Sequence, residues 1–149
     1  MILIVHLLFG AAIGSVIKNM PLTILLAFLS HYLLDLLPHA EYDIENIEKR
    51  RWKRAITQIA RMLLDFCSGI LLILVFSNNQ LIVYICAFFA ILPDGLSILN
   101  LMRKSKILQY HSDFHQKKIH FLKYKKIPIF WRILSQVLVV IMSIILLKK

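Results

Sequence analysis

Two histidines and an aspartate stand in the apolar stretch Ser30-His31-Tyr32-Leu33-Leu34-Asp35-Leu36-Leu37-Pro38-His39, the second histidine closing it. An ionisable side chain on a membrane helix costs a few kcal/mol or more, so a cluster of them marks a functional-site candidate. His31 and Asp35 are four residues apart, which puts them on one face of a helix, where they can grip one ion. Imidazole nitrogen and carboxylate oxygen are donors that Zn²⁺ or Mn²⁺ accepts, and two such ions can clamp a phosphoryl oxygen and activate water at neutral pH.

The elements that must position these groups follow from the hydropathy pattern. The chain has 149 residues, 59% of them apolar, and a mean hydropathy of +0.73. Soluble domains are roughly half apolar. The apolar residues fall into five blocks, about 2 to 17, 20 to 37, 62 to 77, 81 to 102 and 129 to 147. Each is near the roughly 20 helical residues that cross a membrane. The fold expected is all-α, a single polytopic membrane domain over 1–149 with about five transmembrane helices. Only Lys18 and Asn19 separate the first two blocks, which calls for a tight hairpin or slightly shorter helices. The first block has no basic residues before its apolar run and reads as a retained helix rather than a secretory signal. Ser77-Asn-Asn-Gln80 is a short polar turn that predicts antiparallel packing of the third and fourth helices.

Net charge is +10, which on a soluble chain would suggest nucleic acid. The positions of the charges point elsewhere. With five crossings, 15 of the 18 Lys and Arg fall on the side that holds the N-terminus and the two long connections, 38–61 and 103–128. The positive-inside rule makes that side cytoplasmic, in a cytoplasmic (inner) membrane. Residues 41–58 predict an amphipathic helix on the headgroup layer, with Ile44, Ile47, Trp52, Ala55 and Ile56 on one face. The 103–128 connection interleaves Tyr110, Phe114, Phe121 and Tyr124 with lysines, which suits anionic phospholipid headgroups of the bilayer better than nucleic acid. His120, inside that lysine-rich run, reads as a surface residue. Cys67 and Cys86 lie in separate apolar blocks and read as packing residues.

This topology predicts that His6, His31, Asp35, His39, Asp65, Asp94, His111 and His115 converge at one depth on one side. His111 and His115 repeat the spacing of four. Asp94 lies in Leu92-Pro93-Asp94-Gly95, where Pro and Gly can break the fourth helix. The donors exceed what one tetrahedral ion needs, so the cofactor expected is one or two divalent ions, Zn or Mn, with Asp35 and Asp94 as the catalytic carboxylates. The bland readings are that His6 packs between helices, Asp43 belongs to a loop, and Asp65 pairs with Arg61 four residues earlier. The chain has no Gly-rich phosphate loop, His-Glu-x-x-His, paired-cysteine zinc motif or serine elbow.

Ser30 to His39, His6 followed by Gly10-Ala-Ala-Ile-Gly14, Asp65, Leu92-Pro93-Asp94 and His111-x-x-x-His115 together resemble the small membrane-bound metal-dependent hydrolases of the LexA-regulated inner-membrane type. That group is distantly similar to zinc-dependent phospholipases C. In place of the family's Pro-Asp-x-Asp and His-Arg-Gly-x-x-His elements this chain carries Pro38-His39 and His111-Ser-Asp-Phe-His115. The resemblance implies metal-dependent phosphoester hydrolysis at the membrane, on a lipid or lipid-linked substrate. Two rivals come from the residues alone: a transporter whose His and Asp groups form a permeation site, and a structural membrane protein whose metal ties helices together.

Overall fold

The computed structural model describes residues 1–103 and 105–149, and for positions 123 and 124 the backbone alone. The side chains of Lys123 and Tyr124, part of the basic and aromatic connection, and all of Lys104 lie outside the described residues. Seven α-helices follow in order: α1 (Leu3–Val16), α2 (Met20–Asp35), α3 (Glu45–Glu48), α4 (Trp52–Phe76), α5 (Leu81–Met102), α6 (Lys106–Phe114) and α7 (Ile129–Leu147). A π-helical turn (His115–Ile119) and a 3-10 turn (His120–Tyr124) join α6 to the segment before α7. No strand occurs among the described residues.

Three of the helices, α4, α5 and α7, are long and apolar enough to cross a membrane. Helices α1 and α2 are apolar but shorter, 14 and 16 residues. At 1.5 Å per residue they reach about 21 and 24 Å, against a hydrocarbon core of about 30 Å. Asn19 starts α2 so soon after α1 because its side chain accepts from the Leu22 amide at 3.1 Å, and Pro21 in the first turn has no amide to leave unpaired. Pro38, three residues beyond the end of α2, keeps the helix from resuming.

Helix α1 is the axis of the bundle and packs against α2, α4, α5 and α7. Its composition permits that. A Cβ added at Gly10 would stand 2.5 Å from Ala90 Cβ and 2.7 Å from the Cys86 carbonyl oxygen, and one at Gly14 would stand 3.0 Å from Val83 Cα. Only glycine lets α1 and α5 approach that closely. Large apolar side chains then fill the space around the axis, with Leu7, Leu8, Ile73, Val83 and Leu147 almost wholly buried.

Three expectations change. Helices α4 and α5 are joined by the short turn but lean on α1 rather than on each other: Gly10 and Gly14 of α1 admit α5, and Gly69 of α4 admits Leu7 of α1. Pro93 does not break α5, which runs on through it and through Gly95. Loss of one intrahelical bond is tolerated where a helix is held on both sides by packing. The amphipathic segment 41–58 is two pieces. The α3 turn ends at Arg50, whose φ of 52° reverses the chain, and Trp52 already opens the long α4.

Candidate metal centre

Asp35 ends α2 with its side chain fully buried, and imidazoles surround it. Its Oδ2 lies 3.1 Å from His115 Nε2, 3.1 Å from His120 Nε2 and 3.2 Å from His31 Nε2. Its Oδ1 lies 3.2 Å from His6 Nε2, 3.8 Å from His39 Nε2 and 2.5 Å from the amino group of Met1. Asp94, on α5, reaches His31 Nε2 at 3.6 Å. Two donor sets meet at the Asp35 carboxylate: His31, Asp35, Asp94 and His115 in one, and Asp35, His39 and His120 in the other. Either could hold a metal ion, and tetrahedral ligands at about 2.0 Å from zinc stand about 3.3 Å apart.

The other nitrogen of each ring explains the convergence. His31 Nδ1–H donates to the Ala90 carbonyl at 2.8 Å, and His39 Nδ1–H donates to the Leu37 carbonyl at 2.7 Å. His120 Nδ1–H donates to Glu41 at 2.8 Å. The Ser97 hydroxyl gives its proton to the Pro93 carbonyl at 3.2 Å and so accepts from His115 Nδ1–H at 3.4 Å. Carbonyl and carboxylate partners can only accept, which assigns a proton to Nδ1 of His31, His39 and His120 and leaves Nε2 of the neutral ring a lone pair. Yet His31 Nε2 and His115 Nε2 stand 3.1 Å apart, and His115 Nε2 and His120 Nε2 stand 3.3 Å apart. Neutral rings so arranged set acceptor against acceptor in a buried site, a conflict that a bound cation or a proton held between Nε2 and Asp35 relieves. The same pattern, Nδ1–H held by an oxygen and Nε2 aimed inward, orients metal-bound histidines.

Orphaned atoms tell the same story. Both ring nitrogens of His6, and Nε2 of His39, are buried without a hydrogen bond. His6 stacks on His31 with ring centres 4.1 Å apart, flanking both donor sets without belonging to either.

The structure thus brings His6, His31, Asp35, His39, Asp94 and His115 together and leaves two expected residues aside. Asp65 accepts from the Ile4 amide at 2.9 Å and from the Tyr42 hydroxyl, and so fastens the start of α1 to the 36–44 loop. It has no ion pair with Arg61 among the described residues. Burial, followed by the hydrogen bond to Asp65, holds the Tyr42 phenol above its ordinary range, so it stays a donor. His111 lies one turn behind His115, its Nε2 3.0 Å from the Tyr32 hydroxyl. Burial and the neighbouring imidazoles lower its basicity.

His120 is not a surface residue. It is 5% exposed and sits against Asp35. The reason is the π turn: the His120 amide bonds to the His115 carbonyl, five residues back, and that register swings His120 beside His115. Glu41 is the second residue that periodicity could not flag, because it lies in an irregular loop.

The cluster is open on one side. Asp94 and Glu41 have side chains 27% and 22% exposed, and with His120 they line a cavity of about 170 Å³ that also touches Tyr42, Ser97 and Gln116. No Lys or Arg lines it among the described residues, although both long connections contribute walls. No protein-family model, curated protein or solved structure matches the chain.

Proposed function

We propose that this chain is a membrane-bound metal-dependent hydrolase, a phosphoesterase acting on a lipid or lipid-linked substrate through metal-activated water. One observation carries the reading: imidazoles with their Nδ1 protons already committed point bare Nε2 atoms at one carboxylate, beside a cavity that admits a ligand. His31, Asp35, Asp94 and His115 would hold one divalent ion, zinc by donor chemistry, and His39 and His120 would hold a second across Asp35. A bound ion there supplies Lewis acidity and an acidified water.

The chain's own groups do the rest. Asp94, partly exposed to the cavity, is placed to take a proton from water entering beside it. Ala90, Ser97, Leu37 and Glu41 fix the rings so that little reorganises during turnover. A sealed cage would suit the helix-tying alternative, and the cavity beside Asp94 and Glu41 speaks against it. Clustering at one end of the α1–α2 hairpin, rather than spread through the bilayer depth, speaks against a permeation pathway.

The accompanying topology has five spans, with α1 and α2 crossing as a short hairpin. The exposed Leu22, Leu25, Leu29 and Leu33 along one side of α2 support this, since they would face lipid. The charge asymmetry places the N-terminus and both long connections in the cytoplasm, next to anionic headgroups of the inner membrane.

The test is hydrolysis by purified, metal-loaded protein. Turnover of a phosphodiester should vanish on chelation, return with Zn²⁺ or Mn²⁺, and be abolished in Asp94→Asn. Turnover that ignores chelation, or survives Asp94→Asn unchanged, overturns the reading.

A further inference from the structure

Because α4 and α5 both lean on α1, a gap is left between them. Leu3 of α1 floors it, and Ile59, Leu63 and Phe66 of α4 face Ile98 and Met102 of α5 across a groove of about 450 Å³ with an almost wholly apolar lining. That volume is in the range of small-molecule sites. Its roof is built rather than accidental. Ile44 and Ile47 of the α3 turn face inward, and the Arg50 guanidinium donates to the Leu101 carbonyl at 2.9 Å, strapping the turn to the last turn of α5.

The groove and the cavity beside the metal centre adjoin. Leu3, Ile44, Met62, Ile98 and Leu101 form walls of both. One end is therefore carboxylate, hydroxyl and imidazole, and the other is hydrocarbon. A polar, water-soluble phosphoester would leave the apolar part unused. Ile59 and Leu63, walls of the groove, are also substantially exposed, so the groove is open rather than sealed.

We propose that the α4–α5 gap is the binding site for the hydrocarbon chain of a bilayer-resident substrate, which enters laterally and lays its polar head in the cavity at Asp94, Glu41 and His120. The inference rests on the hydrolase reading for what happens to the head. The chain site itself can be tested without turnover.

The probe is phosphatidylglycerol with a diazirine at the end of one acyl chain, added in trace amount to the purified full chain in detergent, with metal removed. Light-induced adducts, mapped by peptide mass spectrometry, should concentrate on Ile59, Leu63 and Met102 and be competed by unlabelled phosphatidylglycerol but not by glycerol phosphate. Leu63→Trp, at an exposed position that tolerates bulk, displaces about two methylenes of chain and should lower groove labelling about tenfold. It should raise KM for a long-chain phosphodiester more than for a short water-soluble one. Labelling spread evenly over the outer faces of α2, α4 and α7 would mean ordinary bilayer contact and overturn the proposal, as would equal labelling in Leu63→Trp. Concentrated labelling with no metal-dependent hydrolysis of any phosphoester would keep the groove and remove the hydrolase reading.

Discussion

At the residue scale, what distinguishes this cluster from buried polar groups in general is that the hydrogen-bond partners of its histidines dictate where their protons are. Glu41 is the clearest lever. Glu41→Gln keeps the size and removes the charge that holds His120 Nδ1–H at 2.8 Å. Loss of such an orienting partner typically costs about 10- to 100-fold in metal affinity, and competition with a coloured chelator should report a loss of that order. Protons offer a second measurement. Without metal, burial pulls the His120 imidazole down, but its hydrogen bonds to Asp35 and Glu41 outweigh burial and raise it to about 9. A folded-state value above the unfolded one stabilises fully below about pH 6.5 and fades as pH rises through about 9. Chelator-treated protein should therefore lose Tm across that window, and His120→Gln should flatten the loss. A slope unchanged in His120→Gln would show that the imidazolium does not sit between those carboxylates. His31 and Asp35 were legible in the sequence because i, i+4 on a helix is a fixed geometry. His120 was not, since the π register that carries it inward has no signature in the pattern of lysines around it.

At the element scale, the apolar blocks matched the helices closely at α1, α2, α5 and α7, because long apolar runs must satisfy their own backbone bonds and do so as helices. Helix partnership was not legible in the same way. Chain adjacency suggested α4 beside α5, whereas glycines, Gly10 and Gly14 of α1 toward α5 and Gly69 of α4 toward α1, decide which helices can come close. Gly10→Ala tests this: its Cβ would overlap Ala90 and the Cys86 carbonyl, and overpacking of that kind costs about 1–3 kcal/mol. Since Ala90 also holds His31 Nδ1–H, the same variant should weaken metal binding. Gly95→Ala is the control, with nothing within 4 Å of the added atom, and should be neutral or slightly stabilising in thermal unfolding. Similar losses in both variants would mean that close α1–α5 contact is not what places the ring.

At the scale of the whole molecule, the proposed orientation puts the open side of the cluster toward the cytoplasm. In a protein with Cys67 and Cys86 replaced by alanine, single cysteines at the exposed Lys49 and Lys118 should resist an impermeant thiol reagent in intact cells, while a tag after Lys149 reacts. Labelling of both from outside would invert the topology. This orientation rests on the charges of the sequence alone, whereas the acidic cavity and the apolar gap arise only from how helices far apart in the chain lean on α1. Metal content decides the central claim. The purified full chain, prepared without added chelator and assayed by elemental analysis beside His31→Ala and Asp35→Asn of equal helicity, should carry one or two equivalents of a divalent transition metal, and both variants should carry little. Metal-free wild-type protein that stays folded and takes up no zinc on titration would contradict it.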